Sequence, residues 1–509
     1  AVGALVGTSY EHYKYERLAG SREEFPSDAL TDMEAGSTSG AGYTNGAGSS
    51  EYKMLSYFAR VNYTLMDRYL FEVNMRADAS SRFHKDHRWG YFPSFSAGWR
   101  MSEESFMKDI EWINNLKIRA SYGTLGNINN VGNYDYFQNY SSGNHYNFSD
   151  SPVIGIGESK PANETLGWEK VALTDIGLDF DIFNGLLGVT ADYYIKNTSD
   201  ILLGYNVPTE TGITAAPSQN IGKVKNTGFE LALNHRNKIG AVNYSIGANI
   251  ATNKNKITNL GGSDNIIQTS SYIVKYILKK GESIGSFYGF KTDGLYTQAD
   301  IDAGHYYTLS GVVPNAGDIK FVPQRDIEYK QEITDEDRTI LGKDVPDFTY
   351  GVNLSLQYKG FEFSMFGQGI SGTKVAFDVY GVHPFYHGQD SPRKYHLKRW
   401  TEENPNPHAA YPRIYSASSV HTTYNRNFSD YHLFDSDYFR FKTLSLGYTV
   451  PSATVKNWGL QSLKVYVTGE NLFTVRADKK MEDFDPETAG GVIYTLGTKS
   501  VAFGVNISF

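Results

Sequence analysis

The 509-residue chain contains no cysteine. That excludes disulfides and thiolate metal sites, and fits an oxidising compartment that the protein ignores. It has no run approaching the ~18 consecutive apolar residues of a membrane helix. It has no basic excess: 48 Lys plus Arg stand against 56 Asp plus Glu, a net charge of −8. Nucleic acid is therefore excluded as the main partner, because phosphate binding needs a basic footprint. The opening AVGALVGTSYEHYKYER lacks the basic start of a secretory leader and turns polar at once. The chain is expected to begin inside a longer structure. No phosphate-cradling GxxxxGK[ST] loop occurs.

Aromatic residues and glycine are what the chain does have. Apolar residues reach only 40% and the mean hydropathy is −0.43, yet 38 Tyr and 29 Phe are present beside 50 Gly. This is a β-rich composition. The pattern agrees. Val501, Phe503, Val505, Ile507 and Phe509 alternate with Ser500, Ala502, Gly504, Asn506 and Ser508. Tyr69, Phe71, Val73 and Met75 alternate with Leu70, Glu72, Asn74 and Arg76. A period of two gives strands with one apolar and one polar face. About fourteen such segments occur, near 1–17, 51–66, 67–82, 89–103, 114–125, 168–182, 185–199, 221–237, 240–257, 346–359, 360–372, 437–450, 461–475 and 497–509.

Short turns at 66–68, 183–185 and 359–360 alternate with long insertions near 18–50, 126–167, 200–220, 258–345, 373–436 and 476–496. That asymmetry predicts an all-β fold, a transmembrane antiparallel β-barrel with its long loops outside and its C-terminus periplasmic. The charges in mid-strand (Arg76, Asp78, Lys117, Arg119, Asp192, Lys196, Glu230) then belong to a wet interior wall. Tyr63, Tyr69, Tyr122, Tyr350, Tyr358 and Tyr448 sit where interfacial girdles form. A large secreted β-sandwich or solenoid is the soluble alternative.

Several stretches resemble the SusC-like (SusC/RagA) family of TonB-dependent outer-membrane transporters. They are YFPSFSAGWRMSEESFMKDIEWINNLKIRASYGTLGN (91–127), LGWEKVALTDIGLDFDIFNGLLGVTADYYIKNTSDILL (166–203), NIGKVKNTGFELALNHRNK (220–238), ESIGSFYGFKTDGLYTQADI (282–301), DRTILGKDVPDFTYGVNLSLQYKGFEFSMFGQGISG (337–372), RWTEENPNPHAAYPRIY (399–415) and TGENLFTV (468–475). The resemblance implies the C-terminal portion, over 1–509, of a plugged 22-stranded barrel. On that resemblance the plug and first strands are expected to lie outside these residues. It further implies active import of oligosaccharide or oligopeptide, a SusD-like surface lipoprotein lid, energy from the TonB complex, and pairing of two such assemblies. Membrane lipid and lipopolysaccharide would surround the barrel. No bond chemistry is implied, so the protein is not expected to be an enzyme. A passive porin and a surface binding platform are the competing functions.

Candidate residues follow. The loop at 373–436 holds Tyr380, Phe385, Tyr386, His387, Asp390, Arg393 and Trp400, a mixture suited to stacking on sugars or gripping a peptide, or else to packing the loop on itself. His383 and His387 have the i, i+4 spacing of a helical metal pair, but Pro384 spoils the helix and no Glu completes a zincin motif. The segment 317–342 resembles a family loop that is often Asp-rich. Here Pro323, Gln324 and Arg325 interrupt it, leaving Asp326, Asp335, Glu336 and Asp337 as too few oxygen donors for calcium. No cofactor is therefore expected. Glu482, Asp483, Asp485 and Glu487 read as a solvated acidic loop. Arg76, Asp78, Lys117, Arg119, Asp192 and Glu230 are expected to hydrate the interior and hold the plug. Phe509 resembles the terminal aromatic by which outer-membrane proteins are recognised for assembly.

Overall fold

A computed structural model describes residues 1–38, 44–148, 151–204, 210, 218–269, 273–377, 383–385, 391–487 and 497–509. One sheet dominates. Its strands are β1 (Val2–Ser21), β2 (Thr44–Leu65), β3 (Tyr69–Ser80), β4 (Trp89–Arg100), β5 (Ile113–Asn127), β6 (Glu169–Ile182) and β7 (Leu187–Gly204). They continue as β8 (Ser218–Ile239), β9 (Val242–Thr252), β10 (Phe348–Tyr358), β11 (Phe361–Ser371), β12 (Tyr438–Thr449), β13 (Ser462–Arg476) and β14 (Ser500–Ser508). Each strand pairs with the next in sequence, and a short extra strand, Lys254–Leu260, pairs with β8. The pairs from β1 to β3 and from β8 to β14 are antiparallel.

Each of the fourteen alternating segments is thus a strand of this sheet. Boundaries move most at the first hairpin. β1 and β2 pair from Val2↔Tyr63 to Ser21↔Thr44, so the insertion expected at 18–50 shrinks to 22–43. Twenty residues of β1 span about 65 Å at ~3.3 Å per residue, far more than the ~9–11 residues that cross a bilayer.

Turn geometry explains the short connections. Met66 and Asp67 both adopt left-handed φ angles, 53° and 55°. Arg68 N–H donates to Leu65 O at 3.0 Å. This is the two-residue hairpin turn whose twist matches the strands. Lys359 and Gly360 repeat it, with φ angles of 45° and 88°.

Register sorts the faces. Val505 lies opposite Val465, which lies opposite Tyr448, then Phe361, then Tyr358, then Val242. The parallel row on the other face reads Ser245, Ser355, Ser364, Ser445, Thr468 and Ala502. The apolar face is left bare: Phe503 is 84% exposed and Phe71, Val73, Ile176 and Val501 are also exposed. In water such a face would be covered; in hydrocarbon it is in its own solvent.

The packed cores lie mainly in the connections. The chain divides into two compact units. One comprises Ala1–Gly98, Ser121–Thr174 and Asn197–Lys223, with a core of Phe83, Phe92, Val131, Leu166 and Trp168. The other comprises Trp99–Ala120, Asp175–Lys196 and Val224–Phe509. Among the described residues it holds three cores, the largest built on Phe290, Leu295, Ile319, Phe321, Trp400 and Tyr424. The insertion 258–345 is therefore folded, and includes a four-stranded sheet of 265–269, 275–279, 286–289 and 339–343.

Candidate functional site: the polar wall and a loop-base cavity

Four of the six charged wall residues fall in one neighbourhood of the second unit. Asn115, Lys117 and Arg119 occupy one face of β5, Asp175, Asp179 and Asp181 one face of β6, and Asp192 faces them from β7. Arg119 grips Asp192 with two nitrogens, at 2.6 and 2.7 Å. The same guanidinium reaches Asp179 at 3.3 Å and Asp175 at 3.5 Å. Lys117 meets Asp179 at 3.4 Å, and Asn115 donates to Asp181 at 3.1 Å. Gly177 makes this possible: a Cβ there would collide with Asp192 and the Arg119 guanidinium. Glu230 lines an adjacent cavity of about 340 Å³ with Tyr194, Lys196 and Asp347. Arg76 and Asp78 lie in the first unit, paired at 2.8 Å, with Arg76 also donating to Ser56 Oγ at 3.1 Å. Asp175, Asp179 and Asp181 were not singled out from sequence, although their period of two around Gly177 stood in plain view.

The loop residues separate. Tyr380, Tyr386, His387 and Asp390 lie outside the described residues. Phe385 is 43% exposed. Arg393 stacks on Phe484, 5.2 Å from the ring centre. Trp400 is buried in the largest loop core, with Arg413 5.4 Å above its ring. His383 is also buried, its ring 5.4 Å from that of His432. Burial pushes the His432 imidazole down to about 4. Phe509 follows β14, 80% exposed.

The interrupted Asp-rich loop has a charge at its centre. Asp337 is fully buried, and Arg325 donates to its two oxygens at 3.1 and 2.6 Å. Backbone N–H groups of Gln324, Arg325 and Thr334 donate to the same carboxylate at 2.9–3.0 Å. Desolvation opposes the charge, but the guanidinium and these donors hold the carboxyl down at about 2.

One reading needs correction. Three of the four acids at 482–487 are held in a folded network rather than in a solvated loop, and Glu482 stays exposed. Arg440, almost fully buried on β12, donates to Asp485 at 2.6 Å and Glu487 at 2.7 Å. Lys442 meets Glu487 at 2.6 Å. Asp483 accepts from Tyr395 N–H at 3.1 Å. Sequence showed the acids without their distant cations. A β-bulge supplies one of these: Phe366 pairs with Thr443 and Gly367 with Phe441, so Lys442 is the extra residue, re-aimed toward Glu487.

Beside this network lies a cavity of about 450 Å³, lined by residues of β11, β12 and the surrounding loops. A further string, Gly281-Glu282-Ser283-Ile284-Gly285, has the spacing of a nucleophile elbow. Its serine is nonetheless structural. Ser283 Oγ donates to Ile284 O at 2.8 Å and precedes a strand rather than a helix.

A sheet that is apolar on one face, ion-paired on the other and hairpin-linked from strand to strand defines a membrane β-barrel protein. The chain belongs to the TonB dependent receptor-like, beta-barrel family, whose model matches residues 3–472. This is a family of outer-membrane proteins. It is 31% identical over 480 residues to TonB-dependent receptor P3 of Formosa agariphila, covering 92% of this chain and 46% of that protein. It is 29% identical over 467 residues to TonB-dependent receptor SusC of Bacteroides thetaiotaomicron, covering 89% and 43%. The chain thus spans about half the length of the curated relatives it matches. Its fold superposes on the RagAB peptide transporter with a TM-score of 0.82 at 25% identity, over 100% of this chain and 53% of that one. These relatives are receptors and transporters, not enzymes.

Proposed function

We propose that this chain forms part of the barrel of a SusC-like active importer of oligosaccharides or oligopeptides. A SusD-like surface lipoprotein closes over its long loops, and TonB supplies energy through a plug carried elsewhere in the protein. The observation that carries this reading is the wall itself. Its ion pairs leave charge over: two cations, Lys117 and Arg119, face Asp175, Asp179, Asp181 and Asp192. A plug that docks by hydrogen bonds and ion pairs would draw on that surplus, and Lys117, Arg119, Asp192 and Glu230 are the contacts proposed for it, with Arg76 and Asp78 in the first unit. On this reading the folded loop layer faces outside and Ser508 lies at the periplasmic edge.

Uptake of labelled oligopeptides and oligosaccharides by cells carrying the full-length protein tests the proposal. Uptake should require both intact TonB and the lipoprotein. Uptake that persists without TonB would make the protein a porin, and surface binding without uptake would make it a platform.

A further inference from the structure

We propose that the loop-base cavity binds a short zwitterionic peptide segment, its ammonium group beside Asp344 and its carboxylate beside Lys374. The cavity measures about 450 Å³, within the range of small-ligand sites. Its lining combines an apolar floor, including Phe287 and Val375, with charges of both signs. Two of those charges are already matched: Lys442 and Glu487 pair with each other at 2.6 Å, and Tyr438 donates to Glu487 at 2.8 Å. Of the other two, Lys374 acts at longer range on Asp430, and Asp344 faces no cation. Neither Asp344 nor Lys374 has an ion-pair partner within 4 Å among the described residues. Asp344 is held in place by its backbone, with its N–H donating to Gly285 O at 3.0 Å and its carbonyl accepting from Thr373 Oγ1 at 2.9 Å. Gly285 (φ +71°) carries no side chain, which leaves room for the carboxylate. Burial holds the Asp344 carboxyl above its ordinary range, the expected state of a partly desolvated acid without a cation. Lys374 lays its stem across Gly342.

A ligand that satisfies both groups carries one positive and one negative charge within a few residues. A neutral glycan satisfies neither, and a uronate oligosaccharide satisfies Lys374 alone. A peptide end or a charged residue near it supplies both, on a backbone whose apolar side chains suit the floor. This inference rests on the import reading and narrows its substrate class.

The test uses the full-length protein with its lipoprotein partner. Binding of trialanine, N-acetyl-trialanine, trialanine amide, maltotriose and a triuronate is measured by calorimetry, with uptake assayed in parallel. Trialanine should bind. Acetylation and Asp344→Asn should each weaken it about tenfold or more, the range of a charge-assisted hydrogen bond, and should not add to one another. Amidation and Lys374→Gln should behave in the same paired way. Binding of blocked peptides as tight as that of the free one would overturn the proposal, as would preference for maltotriose or the triuronate. TonB-dependent uptake untouched by Asp344→Asn would overturn this cavity while leaving the import reading intact. Charge-paired binding without any uptake would do the reverse.

Discussion

At the scale of single residues, Asp337 shows how a buried carboxylate is held charged. Its two oxygens already accept from Arg325 and from three backbone N–H groups. The carboxyl is held down at about 2 against an ordinary 3.8. A depressed carboxylate contributes stability that is fully present above about pH 4 and is lost as pH falls toward 2. The contribution is about 2 kcal/mol at ~1.4 kcal/mol per unit. Hydrogen exchange across 317–342 should therefore accelerate between pH 4 and 2, and Asp337→Asn should remove that step and loosen the loop at neutral pH. Protection that is flat with pH would contradict this. Gly177 is the second sensitive position. Alanine there drives a Cβ into the Arg119–Asp192 pair. A melting shift equivalent to roughly 1–2 kcal/mol is expected, the cost of disturbing a charge-assisted hydrogen bond. A Gly177→Ala protein that melts with the wild type would show that the pair can move aside.

At the scale of elements, what could be read from sequence divides sharply. Strands were legible because alternation is local: Val352, Leu354, Leu356 and Tyr358 announce β10 without reference to any other segment. The bulge in β12 was legible in principle, since Phe439 and Phe441 fall out of phase with Leu444, Leu446 and Tyr448. The loop cores were not legible, because Phe290, Phe321, Trp400 and Tyr424 meet across more than a hundred residues with no period to mark them. The ion network failed for the same reason, with Arg440 and Glu487 forty-seven residues apart. The bulge makes a discriminating prediction. Deleting Lys442 removes the extra residue and leaves every neighbour on its original face, so assembly should survive. Deleting Leu354 from the regular strand β10 turns the rest of that strand inside out, so assembled protein should disappear. Equal levels of the two deletions on a heat-modifiability gel would refute the register. The loop cores carry their own pH dependence. Burial lowers His432 from 6.5 to about 4. Its stabilising effect is full above pH 6.5 and is lost as pH falls toward 4, roughly 3 kcal/mol in all. Protease nicking within 391–435 should rise over that window, well above the acid step of Asp337, and a nicking rate constant from pH 7 to 4 would oppose it.

At the scale of the whole molecule, the decisive feature is a pair of unsatisfied edges. Among the described residues β1 and β14 each have one neighbour in the sheet, β2 and β13. Their other edges present backbone N–H and C=O groups to whatever lies alongside. Hydrocarbon cannot accept those groups, because each unpaired one costs several kcal/mol and no water is available to replace the missing bond. The apolar face makes the problem sharper: Val2, Val6, Val505 and Phe503 are too exposed for the sheet to remain in water either. Both solvents are therefore unfavourable to these strands by themselves, and the relatives they match are about twice as long, with room for strands that would cover both edges. Residues 1–509 produced alone and offered to liposomes should then stay protease-sensitive and give no heat-modifiable monomer, whereas the full-length protein should give one. A stable, heat-modifiable monomer of the 509-residue chain would instead mean that β14 can close directly onto β1, and the protein would be a self-sufficient fourteen-stranded barrel. Conductance separates the same two outcomes: such a barrel would hold an open water-filled lumen, and the full-length protein, on the import reading proposed above, would stay closed in the absence of TonB.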